Sequence, residues 1–225
     1  MSEPECLSVY DLIIEVQRLL ERGQAKAVSD YLNAATMAAD SLTPYRHFRQ
    51  AHYTRNLIFK NDLFEMLALC WGVGHRSWIH NHRGQHCWMA VTEGTLAIRN
   101  FARLGCDQQG RTVRLEPTSE FLIYNGSSAA VDPTEPVHLV WNPEEFNQPA
   151  VSLHIYSRPY DSCVVYDAEA GLCREATLFY TSEYRVLTNR HKGGGKLTDL
   201  PACACTLSPQ DQDVHCGAVP LKMPI

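Results

Sequence analysis

The string HNHRGQHC, residues 80–87, sets three histidines and a cysteine within eight positions. Three chemistries suit it: a metal site, a catalytic cysteine with helpers, or a polar strand rich in histidine. On an extended strand, residues i and i+2 project to one face. His80 and His82 therefore point together, with Ile79 and Asn81 opposite, and two imidazoles side by side on a rigid strand make half of a metal site. Alone, the pair is better explained as two hydrogen-bonded histidines on a solvent-facing strand. His86 and Cys87 are adjacent and point oppositely on a strand, which is poor geometry for a nucleophilic Cys–His pair.

A second string also carries chemistry. In AVSLHIYS (150–157), Val151, Leu153 and Ile155 alternate with Ser152, His154 and Tyr156. One face is apolar; the other is a row of hydroxyl, imidazole and phenol that an ordinary all-β protein would point at water. Near the C-terminus, Cys203, Cys205, His215 and Cys216 offer four ligands, but their spacing matches none of the common structural zinc patterns. Free thiols in a partly ordered tail are the simpler reading.

These residues need a scaffold. Residues 8–22, SVYDLIIEVQRLLER, read as a helix: Val9, Leu12, Ile13, Val16, Leu19 and Leu20 fall on one stripe. Ser8 and Asp11 resemble a capping box, and Gly23 ends the helix. A weaker helix spans about 25–40, and Pro44 stops anything further. From residue 51, YTRNLIF, LFEMLALCW, SWIHNH, HCWMAV, TLAIRNF, RTVRL, FLIYN, HLVWN and AVSLHIYS read as strands. Successive strands with no long helix between them indicate a mainly β fold, a sandwich or barrel, with the front helices packed outside. After about residue 190, NRHKGGGKLTDLP is basic, glycine-rich and flexible in composition. The expected organisation is one domain over 1–190, with helices at about 8–40 and a barrel at about 51–190, followed by a tail over 191–225.

The 225 residues are 45% hydrophobic, enough for a proper core. A net charge of -5 argues against a nucleic-acid partner. No apolar stretch approaches the roughly 20 residues that span a membrane. The acidic start MSEPECLSVY has no signal-peptide pattern, which points to a cytoplasmic protein. The nine cysteines are then best read as reduced thiols, Cys70 among them behaving as a small hydrophobe.

Gly74, His80, His82, Cys87 and Gly94 form the pattern Gly-x5-His-x-His-x4-Cys-x6-Gly. It resembles the first motif of the cupin superfamily, small double-stranded β-barrels whose two histidines and a following glutamate bind a divalent metal. Pro133, Glu135, His138 and Asn142 in PTEPVHLVWN resemble the second cupin motif, with Glu135 in its glycine slot. Cys87 sits where most cupins place the glutamate. Three neutral imidazoles leave the metal's charge uncompensated, so such a site favours anionic ligands such as a thiolate. Zinc suits the same ligands as well as iron does. With YTRN (53–56), LCWGVGHRSWIHNHRGQHC (69–87), EGTL (93–96) and AVSLHIYSRPYDSCVVYD (150–167), the chain resembles cysteine dioxygenase, a thiol dioxygenase family of the cupins. Looser similarity runs from about 10 to about 190.

The resemblance implies a non-haem Fe(II) dioxygenase that converts L-cysteine and O2 to cysteine sulfinic acid. His80, His82 and His138 would hold the iron, with substrate bound through its thiolate and amine. Arg55 would grip the substrate carboxylate, because a guanidinium can form two parallel hydrogen bonds to it. Tyr53 would share that strand face. Tyr156 would hold a phenol near the iron, with Ser152 and His154 orienting it and tuning its proton. Cys87 and Tyr156 would join in the thioether seen in animal-type members. Trp71, His75 and Trp88 would line or back the pocket, Cys163 would lie near its mouth, and His86 would be a bystander. The family further implies a monomer with no nucleic-acid or membrane partner. Three alternatives stand beside this reading. A 3-mercaptopropionate dioxygenase has the same iron site but typically glutamine in place of Arg55. A zinc or manganese hydrolase or isomerase usually keeps the glutamate. A non-catalytic metal-binding cupin has no need of Arg55 and the Tyr156 strand together.

Overall fold

The computed structural model describes residues 6–38, 40–106, 113–131 and 137–188. The chain enters through β1 (Cys6–Leu7) and α1 (Val9–Glu21). The Ser8 hydroxyl accepts from the Asp11 N–H, and the Asp11 carboxylate accepts from the Ser8 N–H at 2.9 Å, so an aspartate completes the capping box. α2 (Ala25–Ala34) stops short of residue 40. Ala35 is extended, and Thr36, a β-branched residue that favours extended backbone, opens β2 (Thr36–Met37), which pairs in parallel with β1.

The strands that carry the fold are β3 (Thr54–Lys60), β4 (Phe64–Trp71), β5 (Ile79–His80), β6 (Cys87–Glu93), β7 (Thr95–Cys106), β8 (Val113–Tyr124) and β9 (Ser128–Val131). They continue with β10 (Val137–Trp141), β11 (Ala150–Ser157), β12 (Ser162–Asp167), β13 (Leu172–Thr177), β14 (Ser182–Glu183) and β15 (Val186–Leu187). Six strands form one sheet in the order β13-β12-β5-β10-β7-β8, and seven form the other in the order β15-β14-β3-β4-β11-β6-β9. The sheets face each other: Leu57, Leu67, Met89 and Val91 of the second pack with Leu96, Ile98, Ile123 and Val140 of the first. On the outer face of the seven-stranded sheet, Met66, Ala68, Leu153 and Ile155 pack on Leu12 and Val16 of α1 and Val28 and Leu32 of α2. Each such buried side chain contributes about 1.5–3 kcal/mol. β4 is buried along its whole length and reads as a nearly continuous apolar run, because both of its faces are covered. This is the mainly β, double-stranded cupin architecture with its helices outside, although strand pairing does not run unbroken around a closed barrel.

Three departures from the sequence reading have physical causes. The described part of RTVRL, from Val113, and FLIY belong to one strand, β8, which passes through Pro117. β8 lies at a sheet edge, and a register shift near Phe101↔Pro117 accommodates the missing N–H. The hairpin β12–β13 adds two strands to one side of β5: β12 pairs with β5, and β13 pairs with β12 at the sheet edge. In β3 a bulge between Leu57 and Phe59 turns Ile58 and Phe59 toward the helices and returns Lys60 opposite Glu65. Gly94 links the sheets between β6 and β7; its φ is +74°, and a Cβ there would meet the Pro149 carbonyl at 2.5 Å. The tail with Cys203, Cys205, His215 and Cys216, and the motif positions Pro133 and Glu135, lie outside the described residues. No helix among the described residues is long and apolar enough to cross a membrane.

Candidate active site

Register assembles the histidines. β5 is wedged between β10 and β12, and His80 pairs directly with His138. Directly paired residues share a face, so the two imidazoles meet, and His82, two residues further on, joins them. A tight turn follows at once, with Arg83 and Gly84 both at positive φ and the Gln85 N–H donating to the His82 carbonyl at 2.9 Å. One ligand atom from each ring lies within 4.8 Å of the others. Ring centroids are 4.8–5.0 Å apart. His80 Nδ1 lies 2.9 Å from the Trp78 carbonyl, which fixes its proton there and frees Nε2. Both ring nitrogens of His82 and Nδ1 of His138 are buried without a hydrogen-bond partner. Burial lowers the His80 pKa to about 4 and holds His82 and His138 well below the ordinary range, with the neighbouring rings adding to the effect. Three neutral imidazoles with unused nitrogens, converging in a buried site, fit a divalent metal.

The opposite sheet supplies the polar row. Trp71 Nε1 can only donate, and it donates to Ser152 Oγ at 2.9 Å. Ser152 Oγ is 2.9 Å from His154 Nε2, and His154 Nδ1 is 3.1 Å from the Tyr156 hydroxyl. We assign the protons so that Ser152 donates to Nε2 and Nδ1–H donates to the phenol oxygen. The reverse direction would leave the fully buried Ser152 O–H with no acceptor among the described residues. The phenol O–H is then free for the pocket. The Tyr156 ring is 5.8 Å from that of His82, so the row and the histidines meet between the sheets.

Burial lowers the His154 pKa to about 3, with the charge of Arg55 contributing. In an unfolded chain the value returns to about 6.5. Between those limits unfolding takes up a proton at this site, so stability is full above about 6.5 and is lost as pH falls through the window. His80, His82 and His138 add slopes of the same sign. Relative to the wild type, His154→Asn is expected to flatten the pH dependence of unfolding free energy by up to one proton, read by urea melts of the metal-free protein. An unchanged slope would show that His154 is not held neutral.

Arg55 reaches the same place from β3. Its guanidinium carbon is 5.7 Å from the Tyr156 ring centroid and 6.0 Å from that of Tyr180. Burial opposes its charge, but the phenols of Tyr156, Tyr160 and Tyr53 and the Glu65 carboxylate outweigh burial, and it stays protonated. Nε and Nη2 have no hydrogen-bond partner. Tyr53 stacks on Trp71 with centroids 4.4 Å apart, on the pocket face. Cys87 pairs directly with Tyr156 across β6 and β11. Burial pushes the Cys87 thiol up to about 12 and raises the Tyr156 phenol well above its usual value.

Other assignments divide. Trp71 lines the pocket, but Trp88 is on the outer face, in the cluster beneath the helices. His75 is a strut: its Nδ1 accepts from the Gly72 N–H at 2.8 Å, and Nε2 reaches the Gln50 carbonyl at 3.0 Å. Asn142 clamps the carbonyls of Trp71, Gly72 and Gln148. His86 stacks on Trp88, away from the ligands. Cys163 is buried beside Val165 and Tyr160. Three residues escaped the sequence reading: Tyr160, whose ring meets that of Tyr156 edge-on at 5.3 Å, Glu65 and Tyr180. Only Glu65 left a signal, as the one charge in the apolar string LFEMLALCW.

Comparison with known proteins agrees with this geometry. The family model described as cysteine dioxygenase type I matches residues 1–169. Cysteine dioxygenase type 1 of Homo sapiens is 32% identical over 151 residues, which is 67% of this chain and 73% of that protein. The Danio rerio protein of the same name is 31% identical over 173 residues, 76% of this chain and 77% of that one. Among solved structures, a Klebsiella pneumoniae protein with a double-stranded beta-helix domain superposes with a TM-score of 0.43 and 12% identity, over 56% of this chain and 95% of that chain.

Proposed function

The chain belongs to the cysteine dioxygenase type I family, and we propose that it oxidises the thiol of L-cysteine with O2 to the sulfinic acid, using Fe(II) held by His80, His82 and His138. The observation that carries this reading is the trio of neutral imidazoles beside a phenol relay and a charged arginine with unpartnered N–H groups. Iron, when bound, supplies the centre at which thiolate and O2 meet and their spin barrier is overcome. The protein's own groups do the rest. Arg55 takes the substrate carboxylate through its free N–H groups, with Tyr53 beside it. Tyr156 keeps a proton at its hydroxyl facing the pocket, held in place by His154 and Ser152. The apolar walls from both sheets exclude water.

Arg55 favours cysteine over 3-mercaptopropionate, and the full constellation disfavours a non-catalytic cupin. Anaerobic loading with Fe(II), followed by admission of O2 and assay of sulfinate from L-cysteine and from 3-mercaptopropionate, tests the proposal. No oxygen consumption with either thiol would sink it; a strong preference for 3-mercaptopropionate would sink the role given to Arg55.

The direct pairing of Cys87 with Tyr156 supports a thioether between Sγ and the phenol ring. Its formation would remove one hydrogen from the thiol and one from the ring, with O2 as the two-electron oxidant that leaves as hydrogen peroxide. After turnover, a fraction of intact wild-type protein is expected to be lighter by two hydrogen atoms in mass spectrometry, whereas Cys87→Ser keeps its full mass. The reading extends to a monomer in the cytoplasm, with a catalytic domain over 1–190 and a tail over 191–225. The unpaired thiols at Cys6, Cys70 and Cys163 support a reducing compartment.

A further inference from the structure

Behind Arg55 stands a buried carboxylate. Glu65 is 0% exposed and sits on the pocket face of β4, directly opposite Tyr156 of β11 and Lys60 of β3. Its Oε1 is 3.8 Å from Arg55 Nη2, beyond hydrogen-bond length, and Oε1, Nη2 and Nε all lack partners. The two charges neutralise each other in a buried place yet leave Oε1, Nη2 and Nε unused. A second polar path leads outward. Tyr180 O–H donates to Glu65 Oε2, and Lys60 Nζ donates to the Tyr180 oxygen at 3.2 Å. Lys60 is partly exposed and pairs with the exposed Asp161 at 3.5 Å.

We propose that Glu65 is an internal counter-ion that Arg55 exchanges for the substrate carboxylate, and that Glu65 takes up one proton as it yields. The inference rests on the reading of Arg55 as the carboxylate anchor. A substrate carboxylate on Arg55 places two buried carboxylates around one guanidinium, and like charges at such range do not both stay ionised. The substrate cannot protonate without losing its grip, so Glu65 does. Protonated, it is neutral and no longer competes with the substrate for the guanidinium charge. The proton passes from Tyr180 to Oε2 or from solvent water directly; in the first case Lys60 reprotonates Tyr180 and is itself recharged from water. The titratable groups facing Glu65 are Arg55 and Lys60 on β3, Tyr156 on β11, Tyr180 after β13 and Asp161 before β12. Burial already raises the Glu65 pKa, while Arg55, the Tyr180 hydrogen bond and Lys60 hold it down.

The test uses Fe(II)-loaded protein without oxygen, titrated with L-cysteine by calorimetry in two buffers of different ionisation enthalpy. Wild type is expected to take up about one proton more per cysteine bound than Glu65→Gln. With cysteamine, which has no carboxylate, the two proteins should match. In turnover, the ratio of the KM for cysteine, wild type over Glu65→Gln, should climb by up to about tenfold per pH unit across the Glu65 titration, so the variant binds better at the alkaline end. Mere structural damage would raise the variant's KM instead. Equal proton counts with cysteine bound to both proteins would overturn the exchange and leave the proposed reaction standing; failure of wild type to bind cysteine would overturn both. If Glu65→Gln does not fold, Tyr180→Phe decides: loss of its hydrogen bond should move the pH at which KM rises upward, and an unmoved profile would overturn the proposal.

Discussion

Replacing His138 with alanine is expected to empty the metal centre while the fold survives. His138 is 1% exposed at a direct pairing with His80, and its Nδ1 makes no hydrogen bond that the fold would lose. Two imidazoles remain, and they offer no anionic ligand to compensate. Disturbing a partner behind a metal ligand typically weakens metal binding by roughly 10–100-fold, so deleting a ligand should exceed about a hundredfold. After Fe(II) loading and desalting, metal analysis should find little iron in His138→Ala, with far-UV circular dichroism unchanged. Sulfinate formation should fall in proportion to iron content. Full iron occupancy would remove His138 from the ligand set. Ser152→Ala gives the contrasting pattern, because it strips partners from Trp71 Nε1 and His154 Nε2 but touches no ligand: iron stays and turnover falls.

The parts of the site that follow period two were legible in the sequence. The i, i+2 spacing placed His80 with His82, and strict alternation placed Ser152, His154 and Tyr156 on one face of β11. The α1 stripe and its cap were legible for the same reason, a regular repeat over a long segment. Parity also explains the misplaced Trp88: Cys87 faces Tyr156 in the pocket, so its immediate neighbour must face the helices. What could not be read depends on irregularity or on distant chain. The bulge in β3 reverses the parity of Lys60, so nothing in the sequence brings it opposite Glu65. Tyr180 follows β13 in an irregular segment and reaches Glu65 only because β14 docks in parallel on β3. That His138 meets His80 is a fact of register between strands far apart in sequence, and only the resemblance anticipated it.

Arg55→Ala should separate binding from chemistry. If Arg55 holds the substrate carboxylate as proposed, that carboxylate would lose charge-assisted hydrogen bonds worth about 1.5–3 kcal/mol, so the KM for cysteine should rise roughly ten- to a hundredfold. The hydrogen bonds of the relay from Trp71 to Tyr156 do not pass through Arg55, which meets the relay only over the Tyr156 ring, so kcat should change less and iron content should hold. Cysteamine is the control: without a carboxylate its KM should hardly move. An equal rise for both thiols would mean that Arg55 shapes the pocket and does not bind the carboxylate. Stability carries a second signature. Removing one partner of a buried charge pair costs about 3–5 kcal/mol when the other stays ionised. Glu65 escapes part of that cost by protonating, and without Arg55 its pKa, already raised by burial, rises further. A raised carboxyl pKa gives stability that is full below the unfolded value near 4.3 and is lost as pH climbs through the folded value. Urea melts of Arg55→Ala should therefore lose stability with rising pH over a range where the wild type, whose Glu65 is held down by Arg55, loses less. If the two proteins lose stability in parallel, Glu65 and Arg55 do not act as a pair, and the buried carboxylate has another purpose.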